Sequence, residues 1–271
     1  MSSGVEEHVI SRVANATMRD SPFPHLYVEK VFPDDFYAQI RLNWPNTPEF
    51  TSISESGRVS KGLYAERFVL PFTPSGIERL QDDRRIFWKN FGNWFLAYPF
   101  MEAVIDKFVD HARKRFGDNL SQTKFEVDSL LVQDLTNYSI GPHTDSKYRL
   151  LSMLFYCPEN AGKKHLGTSI YVPLDPSFRC EGGRHYKRDQ FRLISTFEYK
   201  PNTLLAFFKT DNSFHGVEPI TELGVQRDLL LYDIRVCANR RVSQTGNVHS
   251  QASWGGLGLK MLKKVLGTKQ R

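Results

Sequence analysis

Cysteine is scarce in this sequence. Cys157, Cys180 and Cys237 are three in 271 residues, widely spaced and odd in number, and no Cys-x-x-Cys occurs. That argues against a disulfide framework and a thiolate zinc site, and fits a reducing, cytoplasmic setting. No run of about 18 apolar residues exists, so no membrane-crossing helix is expected. Met1 to Asp20 carries Glu6, Glu7, Arg12 and Arg19 where an export signal would place an apolar stretch, so export is not expected. No repeat is apparent. The excess of 36 Lys and Arg over 30 Asp and Glu is small for duplex binding, and no nucleic-acid partner is expected. A net charge of +6 fits a solvated surface, or a preference for anionic ligands.

A chain with 40% hydrophobic and 24% charged residues can bury one sizeable core. A single domain over 1–271 is expected: N-terminal strands and supporting helices to 123, a β core over 124–237, and a basic tail from 238. His25 to Phe32 alternates as a strand. Pro33-Asp34-Asp35 opens a helix carrying Phe36, Ile40 and Trp44 at helical spacing. Residues 46–62, rich in Ser, Thr, Gly and Pro, read as a mobile loop, and Tyr64 to Phe72 as a strand. From about Asp82 to Phe116 an aromatic stripe including Trp88, Phe91, Phe95 and Phe100 predicts helices packed outside a sheet, with a break near Pro99.

From Lys124 the period changes to that of strands. The predicted strands are Phe125–Leu135, a short one leading through Gly141-Pro142, Leu150–Tyr156, Thr168–Val172, Phe191–Tyr199, Thr203–Lys209, Ser213–Ile220 and Asp228–Val236. About eight strands at this spacing predict a mainly β, α+β fold with a double-sheet jelly roll.

Two of these strands carry candidate ligands. His143 and Asp145 stand two residues apart in Gly141-Pro142-His143-Thr144-Asp145, so on extended chain they point to one side. His215 follows 70 residues after Asp145, in Ser213-Phe214-His215-Gly216, and Arg227 follows 12 residues after that. A lone His-x-Asp is more often a surface turn, and a lone His before Gly is weaker still. Two imidazoles and a carboxylate brought to one face, however, form the ligand set of non-haem iron(II) oxygenases.

His143, Asp145, His215 and Arg227, in this order and on these strands, resemble the iron(II)/2-oxoglutarate-dependent dioxygenase superfamily. Its pattern is His-x-Asp, a distal His, then Arg or Lys about ten residues later. The resemblance covers roughly residues 125–237. It implies a double-stranded β-helix with His-x-Asp at the second strand and the distal His on the seventh. It implies iron(II) held by His143, Asp145 and His215, with 2-oxoglutarate and dioxygen as co-substrates and ascorbate as a stimulant. Arg227 is then expected to hold the far carboxylate of 2-oxoglutarate through two parallel hydrogen bonds. Tyr138 is either a second partner of that carboxylate or a core aromatic, and Gln133 is placed in the pocket lining. The implied reaction hydroxylates an unactivated C–H bond and releases succinate and carbon dioxide. The presence of Asp145, which related halogenases replace with a small residue, favours hydroxylation over halogenation.

Asp211 and Asn212 read as turn residues, and His165, His185 and His249 as surface residues. Lys61, Arg67, Lys163, Lys164, Arg179, Arg184, Lys187 and Arg188 form a basic rim suited to an anionic substrate, or are simply solvated. Residues 255–271 place Leu259, Leu262, Val265 and Leu266 on one helical face among five basic residues. Such a helix rests on an anionic membrane at the inner face, or docks on its own domain or a partner subunit. These features suggest a small or glycan-type anionic substrate, for example the lipopolysaccharide inner-core acid Kdo. The competing readings are a free amino acid or secondary metabolite, a prolyl-type protein substrate, and a non-catalytic, cupin-like metal-binding module.

Overall fold

The computed structural model describes residues 2–237, and within them Lys124 marks the passage from helices to strands. The expected helix at 255–271 and His249 lie outside the described residues. The N-terminal part contains α1 (Ser2–Ala14), β1 (His25–Glu29), α2 (Asp34–Leu42), β2 (Thr51–Ser52), β3 (Arg67–Pro71), α3 (Pro74–Ile77), α4 (Asp82–Phe95), α5 (Tyr98–Lys107) and α6 (Val109–Phe116). The helical region breaks at the Pro99 segment as the sequence predicts, because a proline inside a helix lacks the donor for the preceding turn. A second break follows Lys107. The strand expected over Tyr64–Phe72 starts only at Arg67, since Tyr64 adopts a left-handed turn conformation with φ 55°.

The second part contains β4 (Phe125–Leu135), β5 (Ile140–His143), β6 (Arg149–Tyr156), β7 (Ser169–Pro173), β8 (Phe191–Thr196), β9 (Thr203–Phe208), β10 (His215–Val217) and β11 (Gln226–Val236). They form two antiparallel sheets. The larger runs β1-β9-β6-β11-β4-β3-β2 and the smaller β5-β10-β7-β8. Counting β4 as the first of eight, the larger sheet contains the sixth, third, eighth and first strands. The smaller contains the second, seventh, fourth and fifth. That alternation between sheets is the double-stranded β-helix, or jelly roll, expected from the sequence.

Both faces of the larger sheet are covered, so its strands are apolar on both sides. Leu131, Met153, Phe155, Ala206, Leu230, Tyr232 and Ile234 face the helices. There the Phe95 ring lies 5.0 Å from Phe100 and 4.9 Å from Tyr232, close enough for edge and stacked contacts to add to the area buried. Leu130, Val132, Leu205, Phe207 and Leu229 face the smaller sheet instead. The candidate ligands sit between the two sheets, at one end.

Candidate metal centre

β5 and β10 are antiparallel neighbours, and in their register His143 pairs directly with His215. Cross-strand partners project to the same side, and here the imidazole centroids are 4.3 Å apart. The close approach depends on Gly216. A Cβ at that position would lie 2.5 Å from the carbonyl oxygen of Ile140, so no larger residue fits without moving β10 away from β5. Asp145 lies just past the end of β5, as expected. Its Oδ2 is 3.8 Å from Nε2 of His215 and accepts a 2.6 Å hydrogen bond from Ser152 Oγ.

One ligand atom each from His143, Asp145 and His215 can be chosen so that all lie within 4.8 Å of one another. The tautomers are set by the backbone. Nδ1 of His143 is 3.0 Å from Gly141 O, and Nδ1 of His215 is 3.0 Å from Ser213 O. A carbonyl only accepts, so each Nδ1 carries a proton, and in the neutral ring Nε2 is the nitrogen with a lone pair for a metal. Burial, with His215 close by, depresses the pKa of His143 to about 3. Burial alone would raise that of Asp145. The guanidinium of Arg149, the two imidazoles and the Ser152 hydroxyl outweigh it and hold Asp145 below the usual carboxylate range. Two neutral imidazoles and one carboxylate are the donor set that iron(II) takes while leaving a face open.

The triad opens into a cavity of about 130 Å³ between the sheets, walled by Leu154, Phe207, Val217 and Leu231 among others. Arg227, the second residue of β11, is fully buried and lines this cavity. Its Nη1 donates to Asp134 Oδ2 at 2.6 Å and its Nε to Leu166 O at 2.5 Å. Arg67, expected on the rim, instead grips Asp134 through Nε and Nη2 at 2.6 and 2.9 Å, with only 16% of its side chain exposed. Two guanidiniums thus share one carboxylate, leaving a surplus positive charge at the cavity wall. Tyr138 lies beneath Arg67, 4.3 Å from guanidinium carbon to ring centroid, and its buried hydroxyl has no partner. An unpartnered hydroxyl donor beside a surplus cation fits the free carboxylate of a bound acid.

Gln133 corrects the expectation. It is absent from the cavity wall, and strand alternation places it on the face opposite Asp134, with Leu131 and the helices. His185, read as a surface residue, is exposed yet forms a backbone bridge with His143. Its ring lies 4.6 Å from that of His143 and hydrogen-bonds the Tyr64 hydroxyl. His165 pairs with Glu222, and Asp211 with Lys209, away from the triad as expected. Sequence reading missed Ser152, Arg149 and Asp134. Asp134 did carry a signal: it continues the inward-facing positions 130 and 132 with a charge.

No family model and no curated sequence matches the chain. Solved structures do. A 2OG-Fe(II) oxygenase family oxidoreductase from Burkholderia pseudomallei is 11% identical, with 86% of this chain and 91% of that one covered and a TM-score of 0.44. A Pseudomonas putida prolyl-4-hydroxylase is 12% identical over 86% of this chain and 100% of its own, also at 0.44. HygX from Streptomyces hygroscopicus, with nickel and 2-oxoglutarate bound, is 11% identical over 78% and 82%, at 0.39. The chain is similar to 2-oxoglutarate oxygenases. At such identities the functional reading rests on the side chains of this chain itself.

Proposed function

We propose that this chain is an iron(II)- and 2-oxoglutarate-dependent oxygenase that hydroxylates an unactivated C–H bond of a small or glycan-type substrate. The observation that carries the reading is the convergence of two imidazoles and one carboxylate beside a cavity whose far end holds a surplus guanidinium. His143, His215 and Asp145 hold the metal through Nε2, Nε2 and a carboxylate oxygen. Ser152 keeps the carboxylate oriented, and the carbonyls of Gly141 and Ser213 keep the imidazoles in one tautomer. Arg227 and Tyr138 receive the far carboxylate of 2-oxoglutarate, with Arg67 holding Asp134 in place. Phe207, 4.5 Å from the His215 ring, helps with Leu154, Val217 and Leu231 to keep water from the open face. Bound there, iron and 2-oxoglutarate supply the oxidising chemistry, with succinate and carbon dioxide released and one oxygen atom delivered to the substrate.

The test is oxygen-dependent succinate formation, first uncoupled and then against a panel of sugar acids including Kdo, free amino acids and a prolyl peptide. Stimulation by one class names the substrate, and no succinate in the iron-loaded protein contradicts the reading. Arg227→Met is expected to keep the metal while raising the 2-oxoglutarate concentration needed for half-maximal turnover at least tenfold. A tenfold rise is about 1.4 kcal/mol of 2-oxoglutarate binding, the least expected on removing one charge-assisted pair. An unchanged requirement would take Arg227 out of the site.

A further inference from the structure

The cavity carries a second group of guanidiniums that this reaction does not use. Arg149 opens β6 and lines the cavity with Asp145 and Ser152. It pairs with Asp233 of β11, six residues along the strand from Arg227 and directly opposite Ser152. Asp233 in turn stands opposite Asp128 of β4. Arg58, from the loop before β3, forks onto Asp128 at 2.6 and 2.9 Å, and Arg235 reaches it at 3.2 Å. Nε of Arg149 is buried without a partner.

Resting on the oxygenase reading, we propose that Arg149, backed by Arg58 and Arg235, forms a second oxyanion subsite that metal loading activates, and that it receives a carboxylate or phosphate group of the primary substrate. The arrangement of charges carries this. Arg149, Arg58 and Arg235 face three carboxylates, Asp145, Asp233 and Asp128, and the metal-free cluster is balanced above pH 7, where Asp233 as well as the other two is ionised. A divalent ion claims Asp145. One guanidinium charge is then uncompensated, and Arg149, with 19% of its side chain exposed against 32% for Arg58 and 37% for Arg235, is the one for which an unpaired charge is costly and an incoming anion relieves it. Arg149 is the one that borders the cavity, and its planar fork still has Nε to offer. Three of the rim cations are already paired, Lys163 with Glu222, Lys164 with Glu198 and Arg188 with Glu218. Arg227 and Arg67 lie at the other end, where the far carboxylate of 2-oxoglutarate takes their surplus charge.

The experiment uses the full chain loaded with zinc(II) and 2-oxoglutarate, which does not turn over. Acetate and inorganic phosphate are titrated in separately while the arginine Nε–H resonances are followed by NMR. One arginine resonance, missing in Arg149→Gln, is expected to shift saturably. Its affinity for the anion should be at least tenfold weaker in the metal-free protein. Arg149→Lys keeps the charge but not the fork, and is expected to bind several-fold more weakly than the native chain. Tighter phosphate binding assigns a phosphorylated substrate, and tighter acetate binding a carboxylate. No saturable shift, equal affinity without metal, or anion binding that persists in Arg149→Gln overturns the proposal. So does loss of zinc from both Arg149 variants, which would make Arg149 a support for Asp145 alone. Binding of 2-oxoglutarate to the native zinc protein is measured apart by calorimetry. Its failure would sink the oxygenase reading without touching the Arg149 result.

Discussion

At the scale of single residues, the behaviour of Asp145 is set by its neighbours. Ser152 donates to the same carboxylate that faces His215. Ser152→Ala is therefore expected to weaken metal binding by roughly tenfold, the usual cost of losing an outer partner of a ligand, with little change in folding. Calorimetry with zinc(II) checks it, and unchanged affinity would mean that the hydroxyl has no part in holding the ligand. Two buried groups also shape the response to pH, with opposite signs. His143 has a folded pKa of about 3 against an ordinary 6.5. The unfolded chain takes up this proton first, so its contribution to stability is lost as pH falls from about 6.5 towards 3. Burial, only partly offset by Arg149, raises Asp233 to about 7. Its contribution is present at low pH and lost as pH rises from about 4 through 7. Between pH 4 and 6.5 the two slopes oppose each other in the metal-free protein. His143→Gln should unmask the Asp233 slope, so that urea midpoints fall as pH rises across this window. A variant that instead gains stability with pH would contradict the assignment.

At the scale of elements, the pairing of β5 with β10 makes the site. Gly216→Ala would drive a methyl group against Ile140 O and separate His215 from His143. Metal affinity is expected to fall at least tenfold, with a drop of several degrees in Tm. Affinity unchanged in a folded Gly216→Ala protein would show that this register is not what holds the ligands together. The strand series and the ligand pattern were legible because β5 and β10 carry turn residues and histidines at fixed places. The facing of β4 was not. Ser129 to Val132 is buried on both sides, so no alternation distinguishes the inner face from the outer, and Gln133, which lies on the helix side, was taken for a cavity residue. The loop at 46–62 read as mobile from its composition. It is tied to the sheet by Arg58 on Asp128, and just beyond it Tyr64 holds His185, contacts 70 and 121 residues away that no local signal announces.

At the scale of the whole molecule, topology gathers residues from β3, β5, β6, β9, β10 and β11 around one cavity. The sequence shows the candidate ligands and Arg227, each marked by type and spacing. It hides Arg67 and Arg149, because arginine is ordinarily a surface residue and only the closed barrel makes these two interior. Among the described residues no helix is long and apolar enough to cross a membrane. The most direct measurement is anaerobic visible absorption of the protein as one equivalent of iron(II) and then 2-oxoglutarate are added. A weak charge-transfer band should appear only when both are present and be absent from His215→Ala. Iron bound at one per chain with no band on adding 2-oxoglutarate would leave a metal-binding jelly roll and contradict the oxygenase.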